Sequence, residues 1–252
     1  MKVIILSAGQ GKRLHPHTLD RPKCLMSVAS DYTLLGWQLH QLEAAGVREA
    51  VIVTGFRADT VEAEIAQAGV NMTIRTLFNP EYAIADNLTS AALAIPEMDQ
   101  DFIILNGDTL FTAALASAIV GAPPAPVTIA VAAKDRFDDD DMKAIVKDGR
   151  LSAVAKTLDA RACNAESIGM IRFQSEGVAQ FREALRAAQS TEGSARKYYL
   201  SAIDGLARLH PVNVHEVRQD EWMEVDVPED LERARRTVVQ WSARQAAATA
   251  KS

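Results

Sequence analysis

Residues 6–25, LSAGQGKRLHPHTLDRPKCL, place two glycines, four cationic side chains and two prolines on one connection directly after the apolar run VII. A glycine-rich turn at the carboxyl end of a strand lets backbone N–H groups approach phosphate oxygens, and cations beside it hold the charge. Gly9 and Gly11 stand where such a turn needs them. The loop is not a Walker A sequence, because GKR occupies the place of Gly-Lys-Ser/Thr, and Leu14 takes the third-glycine position of a dinucleotide fingerprint. The ligand it suits is a nucleoside triphosphate. His15 and His17 need no role beyond the loop surface. Carboxylates recur at later chain positions of similar character: Asp108 ends LNGD, and Asp226 lies in WMEVDVPEDL just ahead of a helix start. Carboxylates facing phosphates require a screening cation, and Mg²⁺ takes one or two of them together with phosphate oxygens and water. For Asp226 the competing reading is a helix N-cap.

These residues need a scaffold that brings strand ends to one edge. Apolar runs of strand length alternate with helical patterns: VIIL at 3, LLGWQLHQLEAAG at 34, AVIVT at 50, TVEAEIAQAG at 60, MTIRTLF at 72, NLTSAALAI at 87 and FIILNGD at 102. Repeated β-α units predict an α/β fold with a mostly parallel, mixed sheet flanked by helices, and such sheets bind ligands at the carboxyl ends of their strands. Gly46 and Gly69 fall at helix C-cap positions, and Asp59 and Asp86 at N-cap positions. Thr109 to Ala133 carries no charge and reads as helix, turn and buried strand. VTIAVAA, MKAIVKDGRLSAVAK and ESIGMIRF follow as strands, the middle one folded at Asp148-Gly149 as a hairpin. SEGVAQFREALRAAQ and RKYYLSAIDGLARL are amphipathic helices, VNVHEVR a strand, and PEDLERARRTVVQW a helix opened by proline. One domain over residues 1–242 is expected, with 243–252 a frayed helix or a disordered tail.

Composition excludes several partners. The 27 basic against 33 acidic residues give a net charge of -6, which argues against nucleic acid or an anionic membrane surface, so any anion site is local. The uncharged stretch is broken by Pro123, Pro124 and Pro126 and does not read as a membrane span. Cys24 and Cys163 have no metal-ligand or disulfide spacing, which fits a reducing, cytoplasmic setting.

The full spacing G-x-G-x-R-L-x-P-x-T-x-x-x-P-K, met by Gly9, Gly11, Arg13, Leu14, Pro16, Thr18, Pro22 and Lys23, resembles the signature of the sugar-nucleotidyltransferase superfamily. Asp108 in LNGD, Lys156 in AVAK and Asp226 in WMEVDVPEDL follow in that superfamily's order over nearly the whole chain. NPEYAIADNLTS and DMKAIVKDGRL are most similar to the phosphocholine cytidylyltransferase-type branch, which includes enzymes activating aminoethylphosphonate. The resemblance implies a Rossmann-like nucleotidyltransferase fold, CTP as co-substrate, and Mg²⁺ on Asp108 and Asp226. It implies nucleotide contacts from Leu6, Ala8, Gly9, Gly11, Arg13, Lys23, Asn87 and Asp108, the base resting against the backbone of residues 6–9. Arg13 would grip the β- or γ-phosphate, Lys23 bridge donor and acceptor phosphates, and Lys156 hold the acceptor. Asn87 has the alternative reading of a helix cap.

In that branch the run FDDDDMK lies over the acceptor pocket, which implies an acceptor with both charges: Asp141 for an amine, Lys143 for the phosphoryl oxygens, with Tyr198, Tyr199 and Trp222 as an aromatic wall. The run also reads as a solvated loop. Two other activities remain open, a sugar-1-phosphate or polyol-phosphate nucleotidyltransferase, and a catalytically silent nucleotide-binding subunit. The complete set of carboxylates and lysines weighs against silence.

Overall fold

The computed structural model describes residues 1–249. The N-terminal half is built from β1 (Lys2–Leu6), β2 (Glu49–Thr54), β3 (Thr73–Phe78) and β4 (Phe102–Asn106), joined through α1 (Leu34–Ala44), α2 (Ala58–Gln67) and α3 (Asn87–Leu93). β1 pairs in parallel with β2 on one side and β4 on the other, and β2 with β3. All five β1 residues are buried, because helices cover both faces of the strand. Alternation sorts them: Val3 and Ile5 pack with Leu39 of α1 and Val61 of α2, Ile4 and Leu6 with Leu88 of α3. The chain runs from β1 outward to β3 and returns to place β4 on β1's other flank. The loop after β1 therefore lies where the strand order reverses, the usual ligand crevice of such sheets.

The remainder supplies α4 (Ala113–Val120), β6 (Val127–Ala133), β7 (Lys143–Lys147), β8 (Arg150–Val154), β9 (Ala165–Phe173), α5 (Glu176–Gln189), α6 (Leu200–Ala207) and β10 (Asn213–Val217). The nine-stranded order is β3-β2-β1-β4-β9-β6-β10-β8-β7. It is parallel through β3-β2-β1-β4, whereas β9 runs antiparallel to β4, β6 and β7. The β7–β8 hairpin turns at Asp148 and Gly149, whose φ values of 50° and 70° suit a type I′ turn.

A separate two-stranded ladder joins β5 (Thr109–Phe111) to β11 (Trp222–Glu224), and α7 follows over Pro228–Thr249. Its core includes Leu14, Trp37, Leu110, Met223, Val225 and Trp241, so the glycine loop, β5 and the C-terminal helix share one apolar cluster. β5 was hidden at the head of the uncharged stretch, too short to show alternation. One end assignment differs from expectation. Arg57, with φ 51°, is the N-cap of α2, and Asp59 lies inside the first turn. Asp86 holds the N-cap position of α3 without a capping bond from its side chain. α7 continues through Thr249, so the segment set apart as a tail is helical that far; residues 250–252 lie outside the described residues. No helix among the described residues is long and apolar enough to cross a membrane.

Candidate active site

The motif shapes its own loop. Leu14 is fully buried, and the Thr18 hydroxyl donates to the Gly11 carbonyl at 2.7 Å. Gly11 has φ 65°, and a Cβ there would stand 2.8 Å from the Cβ of Lys23, so glycine allows the loop to close on that lysine. Pro22 leads into a single tight turn, Lys23–Leu25, that buries Cys24 and Leu25 and leaves the Lys23 side chain at the cleft. Burial pushes the Cys24 thiol up to about 12, so it is no thiolate nucleophile at neutral pH. At Gly9, by contrast, a Cβ would meet nothing within 4 Å. That open edge faces a cleft of about 500 Å³.

Asp108 and Asp226 converge on Lys23 from opposite ends of the chain. Gly107 donates its N–H to the Leu6 carbonyl at 3.0 Å, and a Cβ there would lie 2.5 Å from that oxygen, so the LNGD turn closes directly on β1. Antiparallel pairing of β5 with β11, extended by the Val225 N–H to Asp108 carbonyl bond of 3.1 Å, brings Asp226 alongside. The backbone N–H groups of Asp226 and Val227 donate to the Asp230 carboxylate at 3.0 and 3.1 Å. Asp230 thus caps this end of α7, and the Asp226 side chain points elsewhere. The Lys23 ammonium lies 2.9 Å from Asp108 Oδ2 and 2.6 Å from Asp226 Oδ1, and Arg13 approaches Asp226 Oδ1 at 2.9 Å.

Burial opposes the charge on Lys23, but the Asp108 and Asp226 carboxylates outweigh it and raise its pKa. Burial likewise opposes the charge on Asp226, and Lys23 and Arg13 reverse the balance to hold it below the usual range. Glu224 has no ion-pair partner among the described residues. Burial, then repulsion from Asp108 and Asp226, pushes its pKa well up. Asp108 keeps one oxygen, Oδ1, buried and without a hydrogen-bond partner. Two hard carboxylate oxygen donors beside a phosphate cradle suit Mg²⁺. No three His, Cys, Asp or Glu side chains cluster as a closed metal site among the described residues.

Gly9, Gly11, Arg13, Lys23, Asn87, Asp108, Lys156, Tyr198 and Asp226 all line the one cleft. Lys156 Nζ stands 4.7 Å over the Tyr198 ring. Leu6 and Ala8 are buried beneath, their carbonyls accepting from Gly107 and Phe56. Asn87 caps no helix with its side chain; its Oδ1 accepts the Tyr199 N–H at 2.9 Å and ties α3 to the start of α6. Four acceptor-side expectations are corrected. Lys143 is buried and donates to the Lys156 carbonyl at 2.8 Å, supporting the backbone of Lys156 instead of facing a ligand. Asp141 is paired with Lys134 at 2.8 Å, and Lys134 also meets Glu166 at 2.6 Å. Trp222 is buried on the wall of a second cavity of about 690 Å³, on the far side of Arg13 and Asp226, and Tyr199 is fully buried against Phe181.

One residue of the site has no role assigned from the sequence. Asp140, one position before Asp141 in the same acidic run, bridges Arg13 at 2.6 Å and Lys156 at 3.2 Å. Nothing in the run itself distinguishes one aspartate from the next. Glu224, two residues before Asp226 in WMEVDVPEDL, lines the same cleft.

Gly9→Ala isolates the cradle from the fold. Because its Cβ meets open space, Tm is expected to move by no more than about 2 °C. The added methyl fills the surface a phosphate would use, so the KM for the nucleotide should rise about tenfold, or about 1.4 kcal/mol. Melting curves and initial rates check both, and an unchanged KM would remove Gly9 from the phosphate path.

A family model described as nucleotidyl transferase matches residues 2–138. Among curated proteins, the chain is 30% identical over 244 residues to the CMP-5'-(3-aminopropyl)phosphonate synthase of Streptomyces rubellomurinus, a match covering 93% of this chain and 38% of that protein. It is 32% identical over 111 residues to the choline-phosphate cytidylyltransferase of Streptococcus pneumoniae, covering 44% of this chain and 46% of the other. The chain therefore spans about half, or less, of the length of these relatives. The solved CTP:phosphocholine cytidylyltransferase from Streptococcus pneumoniae superposes with a TM-score of 0.76 at 19% identity, covering 94% of this chain and 98% of that one, which is a likeness of fold.

Proposed function

The chain belongs to the nucleotidyl transferase family, and from that premise we propose that it transfers a cytidylyl group from CTP to a small amine-bearing phosphate or phosphonate, releasing pyrophosphate. The observation that carries this reading is the convergence of Arg13, Lys23 and Lys156 with Asp108 and Asp226 on the cleft at the open edge of the Gly9–Gly11 loop. The choice of CTP and of an aminoalkyl acceptor is supported by the phosphonate synthase that matches 93% of the chain.

In this reaction an acceptor oxygen forms a bond to the α-phosphorus as the bond from that phosphorus to the bridging oxygen breaks, and pyrophosphate leaves with the electron pair. The acceptor oxygen is already ionised near neutral pH, so no general base and no protein nucleophile is needed. Catalysis becomes positioning and charge neutralisation. Backbone at Gly9 admits the phosphates. Arg13 holds the β- or γ-phosphate, Lys23 stands where donor and acceptor phosphates meet, and Lys156 holds the acceptor's phosphoryl group. Lys23 also pairs with Asp108 and favours the charged form of Asp226. Those two carboxylates would hold Mg²⁺, whose charge neutralises and polarises the phosphates.

The test is a matrix of four nucleoside triphosphates against 2-aminoethylphosphonate, phosphocholine, phosphoethanolamine, glucose 1-phosphate and an inositol phosphate, read by pyrophosphate release. CTP with an amine-bearing acceptor should lead in kcat/KM by about tenfold, equivalent to about 1.4 kcal/mol. A tenfold lead for a sugar phosphate would replace this reading with the sugar-phosphate one. Absence of pyrophosphate from every pairing would make the chain a binding subunit.

A further inference from the structure

We propose that Asp140 sets acceptor specificity by ion-pair exchange: its carboxylate gives up Arg13 and Lys156 to the substrates' phosphates and takes the acceptor's ammonium group in return. The inference rests on the cytidylyltransferase reading above. Asp140 spans the cleft, with Oδ2 2.6 Å from Arg13 on the glycine loop and Oδ1 3.2 Å from Lys156 beyond β8. Those two cations are the ones assigned to nucleotide and acceptor phosphates. In the free protein one carboxylate therefore bridges both, as a phosphoryl group would.

Exchange is easy because the Asp140 side of both pairs is exposed. Asp140 is 64% exposed and Arg13 48%, a setting in which an ion pair contributes little. A phosphate, with more charge and more acceptor oxygens, outcompetes a single carboxylate for a guanidinium. The backbone under Asp140 is held meanwhile: Asp138 Oδ1 accepts the N–H groups of Asp140 and Asp141, and Asp141 is anchored on Lys134. The side chain can change partners while its loop stays in place.

The neighbouring acids do not face the same loss. Asp108 and Asp226, whose cations Lys23 and Arg13 also meet phosphate, would gain Mg²⁺ in return, and Asp141 keeps Lys134. Of these acids, Asp140 is the one whose two cations are both assigned to substrate phosphates with no metal assigned to it in return. It also lines both cavities, so an acceptor whose phosphoryl group lies on Lys156 has open space on the far side of Asp140 for its other end. A cation a few bonds from phosphorus restores the charge balance there, and a neutral substituent leaves Asp140 unpaired beside incoming anions. The two charges of the acceptor thus match two ends of an ion pair already present.

The experiment compares 2-aminoethylphosphonate with ethylphosphonate, the same phosphonate lacking the amine, using CTP and wild type, Asp140→Asn and Asp139→Asn. Asp139 is exposed and outside these ion pairs, and serves as the charge-matched control. Wild type and Asp139→Asn should favour the amine by at least about tenfold in kcat/KM, and Asp140→Asn should reduce that preference to below about threefold. The loss should fall on the amine substrate, with ethylphosphonate turned over at least as well as by wild type because the competing carboxylate is gone. Melting curves establish that Asp140→Asn is folded. If Asp140→Asn keeps the wild-type preference, or Asp139→Asn loses it equally, this inference is overturned while the proposed function stands. If wild type prefers glucose 1-phosphate to either phosphonate, both are overturned.

Discussion

Lys23→Met should lower kcat by about 10²- to 10³-fold, with much smaller changes in either KM. The ammonium lies between the two carboxylates at 2.9 and 2.6 Å, and in the proposed reaction it stands where the new bond forms, so its charge matters most in the transition state. The same substitution carries a stability signature. Asp226 sits below its ordinary pKa, so its pairing stabilises the fold above that ordinary value and fades as pH falls through the lowered one. Lys23 sits above its ordinary value, so its contribution is complete below that value and fades as pH rises through the raised one. Between these limits both groups are charged. Removing the ammonium leaves Asp108 and Asp226 without it at neutral pH, at a cost of about 1 to 3 kcal/mol given their partial exposure. Melts of wild type and variant from acid to neutral pH should show the gap narrowing in acid. A wild-type kcat, or a gap that does not change with pH, would contradict the role given to Lys23.

Asp108→Asn and Asp226→Asn should each reduce turnover at saturating Mg²⁺ by at least about 100-fold with the fold intact. An amide keeps the shape and loses the charge that holds a divalent cation. The helix-cap alternative for Asp226 is separable because Asp230 takes the backbone N–H groups there. Asp230→Ala should therefore cost about 1 kcal/mol of stability with a small effect on rate, the opposite pattern to Asp226→Asn. Chelation should abolish activity in the wild type. Near-normal turnover by Asp226→Asn would end its assignment to the metal.

The sequence made the strands of the parallel half legible because their runs are continuously apolar and bounded by helical periodicity, as in VIIL and AVIVT. It made the cradle legible because the motif is local: Thr18, Leu14 and Pro22 shape the loop that carries Gly9, Gly11 and Lys23. The acceptor side was harder. Asp141 and Lys143 are adjacent enough in sequence to suggest a charge pair, yet one is satisfied by Lys134 and the other is buried under Lys156. Those partners come from the residue just after β6 and from the chain beyond β8, and no spacing within FDDDDMK encodes them. The same holds for Asp59, where the N-cap position fell to Arg57 through its backbone geometry and not through residue type. Trp222 was read as a wall of the acceptor pocket, but its strand pairs with β5 and buries the ring on another cavity.

The β5–β11 ladder also fixes the order in which a growing chain can acquire its chemistry. The glycine loop, Lys23 and Asp108 all leave the ribosome before β11, and β1 to β4 can pair in parallel without anything downstream of β4. Until Trp222–Glu224 has emerged, however, β5 has no partner strand in its ladder, Lys23 has one of its two carboxylates, and Arg13 lacks Asp226. A nascent chain can thus present a phosphate cradle long before it can hold the paired carboxylates. Completion of the site is timed by the arrival of a three-residue strand.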